Sequence, residues 1–159
     1  MTLYFAYGYN MDRRHMARRC PGARGRGTAR LQGWRFLITT DGVASIVPDG
    51  RSEVFGVLWR LTGKHVRNLD DFEGLARGWY RRLPVRVETA DGPRTALVYA
   101  GSNRNRGRPR PDYLAPVVLP AARDWGLPGA YLAEIESWLP DADPSRRQGL
   151  AAGRRFWQR

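Results

Sequence analysis

At 159 residues the chain fits one compact domain, and a hydrophobic content of 42%, with Trp 6, Tyr 7 and Phe 5, excludes a disordered polypeptide. The formal net charge is +12 and Lys64 is the one lysine among 27 basic residues, yet the arginines run the length of the chain, which favours solvated basic faces over a nucleic-acid surface. Cys20 is the one cysteine, so no intrachain disulfide forms and a cytoplasmic setting is expected; the opening residues carry no signal-peptide pattern, and no run approaches the roughly 20 apolar residues of a membrane span.

Residues 2–7 (TLYFAY) read as a short buried strand, ended by Gly8 and Asn10, which both tolerate turn geometry. Asn10 or Asp12 caps the helical segment MDRRHMARRC, and Pro21 and Gly22 stop it. Residues 29–40 have strand content with a bulge at Gly33, residues 44–47 (ASIV) form another short strand, and PDGRS then makes a turn before the strand 53–61. Thr62 is the expected N-cap of a helix that carries Val66, Leu69, Phe72 and Glu73 at helical spacings and closes at Gly74. Residues 79–89 and 94–101 pair as strands around ADGP. A basic Pro/Gly-rich loop, SNRNRGRPRP, precedes helices expected at 116–125 and 128–139. Residues 1–140 are thus the folded unit, and 141–159 are expected to form a mobile basic C-terminal tail, with docking through Phe156 and Trp157 left open by the sequence. Strands outnumber helices and helices cluster late, so the class is α+β, with a mixed or mostly antiparallel sheet able to curl into a barrel.

Two segments carry chemistry. In FAYGYN a buried strand breaks at Gly8 and a helical turn opens at Asn10, so several backbone N–H groups gather where a carboxylate or a developing oxyanion would be bound. Composition alone also makes it an ordinary strand-to-helix turn. In LDDFEG, Leu69 and Glu73 stand at i and i+4 and share a helix face. If Leu69 faces the core, Glu73 is a desolvated carboxylate suited to general-base work, or equally a structural acid paired with an arginine. Asp70 and Asp71 read as a solvated face or a helix charge effect. His15 and His65 lack the spacing of a metal site, so no metal or other cofactor is expected.

Together these segments resemble the γ-glutamylcyclotransferase family, including its AIG2-like branch. YFAYGYN is similar to the family's N-terminal loop, and LDDFEGLARGWYRRLPVRV to the segment bearing its catalytic glutamate; the similarity covers about residues 3–140. The resemblance implies a small β-barrel with peripheral helices, and release of 5-oxoproline and a free amine from a small-molecule γ-glutamyl substrate. It implies Glu73 as the acid/base group, Tyr7, Gly8, Tyr9 and Asn10 as the substrate loop, and Tyr80 and Tyr113, with Tyr99 behind them, as pocket aromatics. Tyr9 stands where the family has serine. Other readings are a γ-glutamylamine or a γ-glutamyl-protected biosynthetic intermediate as substrate, a non-catalytic binding module on the same fold and, last, a nucleic-acid binder. The 104–110 stretch reads as a solvated loop or as a lid over an anionic substrate.

Overall fold

The computed structural model describes residues 1–140; the expected tail lies outside the described residues. Five strands, β1 (Thr2–Ala6), β2 (Arg24–Ile38), β3 (Ala44–Leu61), β4 (Tyr80–Thr89) and β5 (Gly92–Gly101), close into a barrel in the order β1-β3-β2-β4-β5. All neighbours are antiparallel except β5 and β1, which meet in parallel with Tyr4 opposite Leu97. Phe5, Leu31, Phe36, Ile38, Ile46 and Leu61 are fully buried, and their burial supplies the main drive for closure.

The long β2–β3 hairpin differs from the separate short strands expected. PDGRS does not end a strand. The register steps from Gln32 opposite Glu53 to Trp34 opposite Pro48, so residues 49–52 loop out as a bulge facing Gly33, whose φ is +84°. The turn chemistry is real: Asp49 accepts the N–H of Arg51 at 3.1 Å and the hydroxyl of Ser52 at 2.9 Å. It is local, however, and pairing resumes on both sides because the flanking apolar residues keep their inward register.

Helices α1 (Arg13–Arg19) and α2 (Gly63–Phe72) cover one end of the barrel, inserting Met16 and Leu69. The late helical region is more broken than expected. A π-helix spans Leu114–Val118 before α3 (Leu119–Asp124) and α4 (Gly129–Glu136). Pro116 and Pro120 both lack an N–H, which interrupts the i→i−4 ladder, and the Tyr113 carbonyl is shared: it accepts the Val117 N–H at 3.2 Å and, one residue further on, the Val118 N–H at 3.1 Å. That slip fixes Tyr113 at the barrel end where α2 terminates. Among the described residues no helix is long and apolar enough to cross a membrane.

Candidate active site

The substrate-loop candidate forms as the pattern requires. β1 ends at Ala6, Gly8 starts a 3₁₀ turn over Tyr9–Met11, and Asp12 caps α1 by accepting the His15 N–H at 3.0 Å. The first bond inside the turn runs from Met11 N–H to Gly8 carbonyl at 3.0 Å, so the N–H groups of residues 8–10 precede it. Gly8 lets the backbone approach Tyr113: a Cβ there would lie 2.7 Å from the Tyr113 hydroxyl. Asn10 is buried and engaged on every side. Its backbone carbonyl accepts the Trp59 indole N–H at 2.9 Å, and its Oδ1 accepts from Arg19. Since Arg19 can only donate, the amide orientation is set, and Nδ2 donates to the Tyr4 hydroxyl oxygen at 3.0 Å. Asn10 therefore orients other side chains of the site.

Glu73 arrives by a second route. Thr62 and His65 close a capping box at the start of α2, Leu69 is fully buried, and Glu73 ends the helix one turn later on the same face. Gly74 stops the helix at φ +66° and ψ +41°, a left-handed conformation that glycine adopts without steric penalty. Among the described residues Glu73 has no ion-pair partner within 4.0 Å, so the structural-pair alternative is not what is seen. Burial pushes its carboxyl up to about 7, with the nearby Arg19 guanidinium pulling the other way.

Both routes end on one cavity of about 470 Å³. Tyr7, Gly8, Tyr9, Asn10, Glu73, Tyr80 and Tyr113 all line it, as does Tyr99. Tyr9 does not plug the space. Its ring stacks on Tyr113 at 5.4 Å with an interplanar angle of 5° and leans on His15, forming a wall.

Six of the seven tyrosines line this cavity, and five of their hydroxyls, all but that of Tyr9, sort into two groups. Tyr7 donates to the Tyr99 carbonyl at 2.5 Å, Tyr80 to the Ala44 carbonyl at 2.8 Å, and Tyr99 to Asp70 at 2.7 Å, so these protons are held by the protein. Tyr4 and Tyr113 are acceptors instead, from Asn10 Nδ2 and from the Ala44 N–H at 3.0 Å respectively, which leaves each O–H to serve a ligand.

Sequence reading missed Tyr4, Arg19, Phe72 and Trp79 in the lining. Tyr4 was readable as an alternate position of β1, and Phe72 as the neighbour of Glu73; Arg19 and Trp79 reach the cavity only through tertiary packing. Asp70 also differs from expectation. It is not simply solvated, for it accepts from Tyr99 and from Arg82 and so ties α2 to β4 and β5. Of the arginines in the 104–110 loop, Arg110 lines the cavity. The loop is pinned by Gly107 N–H to the Ile38 carbonyl at 2.8 Å and Arg110 N–H to the Gly42 carbonyl at 3.0 Å, and Arg106 stacks on Trp138. Among the described residues no three His, Cys, Asp or Glu side chains converge to hold a metal ion.

A mixed barrel with such a cavity at the end of β1 has known counterparts. A solved γ-glutamyl cyclotransferase structure superposes with a TM-score of 0.79 at 29% identity, covering 85% of this chain and 86% of that one. The architecture is therefore that of the γ-glutamylcyclotransferase class. The AIG2-like family model matches residues 53–135, and the γ-glutamylcyclotransferases of Mus musculus and Bos taurus are 30% and 31% identical over 150 residues, covering 87% of this chain and 79% of theirs. The chain belongs to this AIG2-like, γ-glutamylcyclotransferase family.

Proposed function

We propose that the protein cyclises the γ-glutamyl group of a small-molecule substrate, releasing 5-oxoproline and a free amine, with Glu73 as the proton shuttle. The observation that carries this reading is a desolvated carboxylate, with no ion-pair partner among the described residues, lining a cavity walled by the 7–10 turn. The substrate's α-ammonium must lose a proton before it can attack, and a carboxylate held near neutrality takes that proton efficiently. The freed amine closes on the γ-carbonyl carbon. The new C–N bond forms as the carbonyl electrons move to oxygen, and the old C–N bond breaks as Glu73 delivers a proton to the leaving nitrogen. In sum, two hydrogens pass from the α-nitrogen to the leaving amine and no water is consumed. Nucleophile and electrophile belong to one molecule, so holding the folded-back conformer is the main task.

The N–H groups of Gly8 and Asn10 and the O–H groups of Tyr4 and Tyr113 are the donors for the substrate carboxylate and the developing oxyanion, the Tyr9 N–H facing the Tyr113 oxygen instead. Arg19, clamped by Asn10, keeps the Glu73 carboxyl from rising further. The single cysteine, Cys20, is buried and suits a reducing cytoplasm. An assay of 5-oxoproline release across γ-glutamyl dipeptides and γ-glutamylamines tests the reaction; a chain inert on all of them would favour the binding-module reading.

The pH dependence is a separate expected result. Because Glu73 must be ionised to accept the proton, kcat/KM climbs with pH and levels off above about 7. Replacing Arg19 by Gln removes the charge that lowers the carboxyl, so the rising limb shifts to higher pH. A profile flat from roughly pH 5.5 to 8.5 would contradict Glu73 as the base.

A further inference from the structure

The polar end of the cavity answers to the glutamyl group, and the mouth is built differently. Phe72 is 49% exposed and Trp79 is 55% exposed; apart from Met1 they are the exposed large hydrophobic residues among those described, and both line this one cavity. Both share that cavity with Glu73, the group that must protonate the leaving nitrogen, and Phe72 adjoins it in the chain. Neither ring is loose. The Arg19 guanidinium lies 3.4 Å from the centre of the Phe72 ring and that of Arg77 4.9 Å from the Trp79 ring. Trp79 packs so closely on Gly74 that a Cβ there would come within 2.4 Å of the indole. Ordered rings left half in water beside a reaction centre mark a place where a ligand supplies the missing apolar contact. A glutamyl group is short and polar and offers none, so the contact falls to the amine portion.

Charge narrows the class. Arg19 and Arg77 sit on the two rings, and Arg110 also lines the cavity; Asp112, exposed, is the one acid there besides Glu73. A cationic amine portion would meet like charge at the mouth, whereas an uncharged or carboxylate-bearing one would not.

Building on the cyclotransferase reading, we infer that Phe72 and Trp79 form a leaving-group subsite selecting γ-glutamyl compounds whose amine portion carries an aromatic or bulky apolar group and no net positive charge. The α-ammonium and γ-carbonyl are common to all such substrates, so comparing amine portions isolates the mouth.

The test uses γ-glutamyl-L-phenylalanine, γ-glutamyl-L-alanine and γ-glutamylputrescine. The native enzyme should favour the phenylalanine compound over the alanine compound by about tenfold or more in kcat/KM, the gain expected from burying a ring. The putrescine compound should be the slowest. In Phe72→Ala/Trp79→Ala the phenylalanine-to-alanine ratio should fall toward one, each single variant should lower it in part, and Phe72→Tyr/Trp79→Phe should keep it. Equal turnover of the two dipeptides by the native enzyme, or a ratio that survives loss of both rings, overturns the subsite. Calorimetric binding to Glu73→Gln separates this from the reaction itself. Tighter binding of the phenylalanine compound with no 5-oxoproline release by the native enzyme upholds the subsite and sinks the cyclotransferase reading. Indifferent binding sinks the subsite whatever the turnover.

Discussion

Replacing Glu73 with Gln is expected to cut 5-oxoproline release by about a thousandfold or more, within the range of roughly 10²–10⁴ for general-base removal once the loss of proton return is added. The amide keeps the shape of the side chain, and the helix-end bond from the residue 73 N–H to the Leu69 carbonyl is untouched, so the barrel should stay intact. The same change should stabilise the protein at alkaline pH. Burial raises the folded-state carboxyl from 4.5 to about 7, above its unfolded value, so the folded form binds the extra proton. The stability this acid contributes is full at pH values below the unfolded value and is lost as pH climbs through about 7. At pH 8 the native chain must hold a desolvated anion and the Gln variant need not. The expected gain is on the order of 2 kcal/mol, or roughly 4–8 °C in Tm for a chain of this size. At pH 4 the two proteins should melt together. Wild-type turnover by the variant would remove the base from the mechanism; a lower Tm at pH 8 would show instead that the carboxylate is structural.

A methyl group at residue 8 should be nearly as damaging to turnover, by a purely steric route. In Gly8→Ala the new Cβ would fall 2.7 Å from the Tyr113 hydroxyl oxygen and 3.4 Å from the Ala44 Cβ. Tyr113 cannot easily withdraw, because its oxygen holds the Ala44 N–H and its ring is stacked on Tyr9. Either the turn or the phenol must move by a good fraction of an ångström, and misplacements of about 1 Å in a reacting constellation can lower rates by about 10²-fold. A loss of about a hundredfold in kcat/KM is expected. Adding Tyr113→Phe removes the atom that the methyl strikes, so the double variant should exceed Gly8→Ala in activity. A Gly8→Ala enzyme with native kcat/KM would show that the close approach has no part in catalysis.

Strand and helix identity were largely legible because they depend on local pattern. Thr62 caps α2, Gly74 closes it, and the spacing of Leu69 and Glu73 places the acid on the inward face. The bulge at residues 49–52 was not, since PDGRS has the composition of a chain reversal and only cross-strand pairing over its flanks reveals that β3 continues. The π-helix was hidden for a similar reason: Pro116 and Pro120 signal interruption, while the form it takes depends on a carbonyl, that of Tyr113, lying before them. Within the site, turn chemistry and helix periodicity made residues 7–10 and Glu73 candidates but left each open to a structural reading, and the resemblance to the family is what singled them out. Arg19 and Trp79 did not, because nothing in a run of arginines or beside Gly78 tells which side chain bends toward a distant cavity.

The way the barrel shuts bears on how the site comes to exist. Its long antiparallel ladders lie within residues 2–61 and within residues 80–101, and the two sections are joined along short seams, Tyr4 beside Leu97 in parallel on one flank and Arg30 beside Glu88 in antiparallel on the other. The segment linking them is α2 with its following turn, which delivers Glu73, while Tyr4 and Tyr99 come from opposite sections. Neither section alone encloses a hollow. The pocket therefore exists only where the two sections meet across the linking helix, and amides along those seams are expected to exchange with solvent sooner than those inside either ladder, which hydrogen exchange would measure.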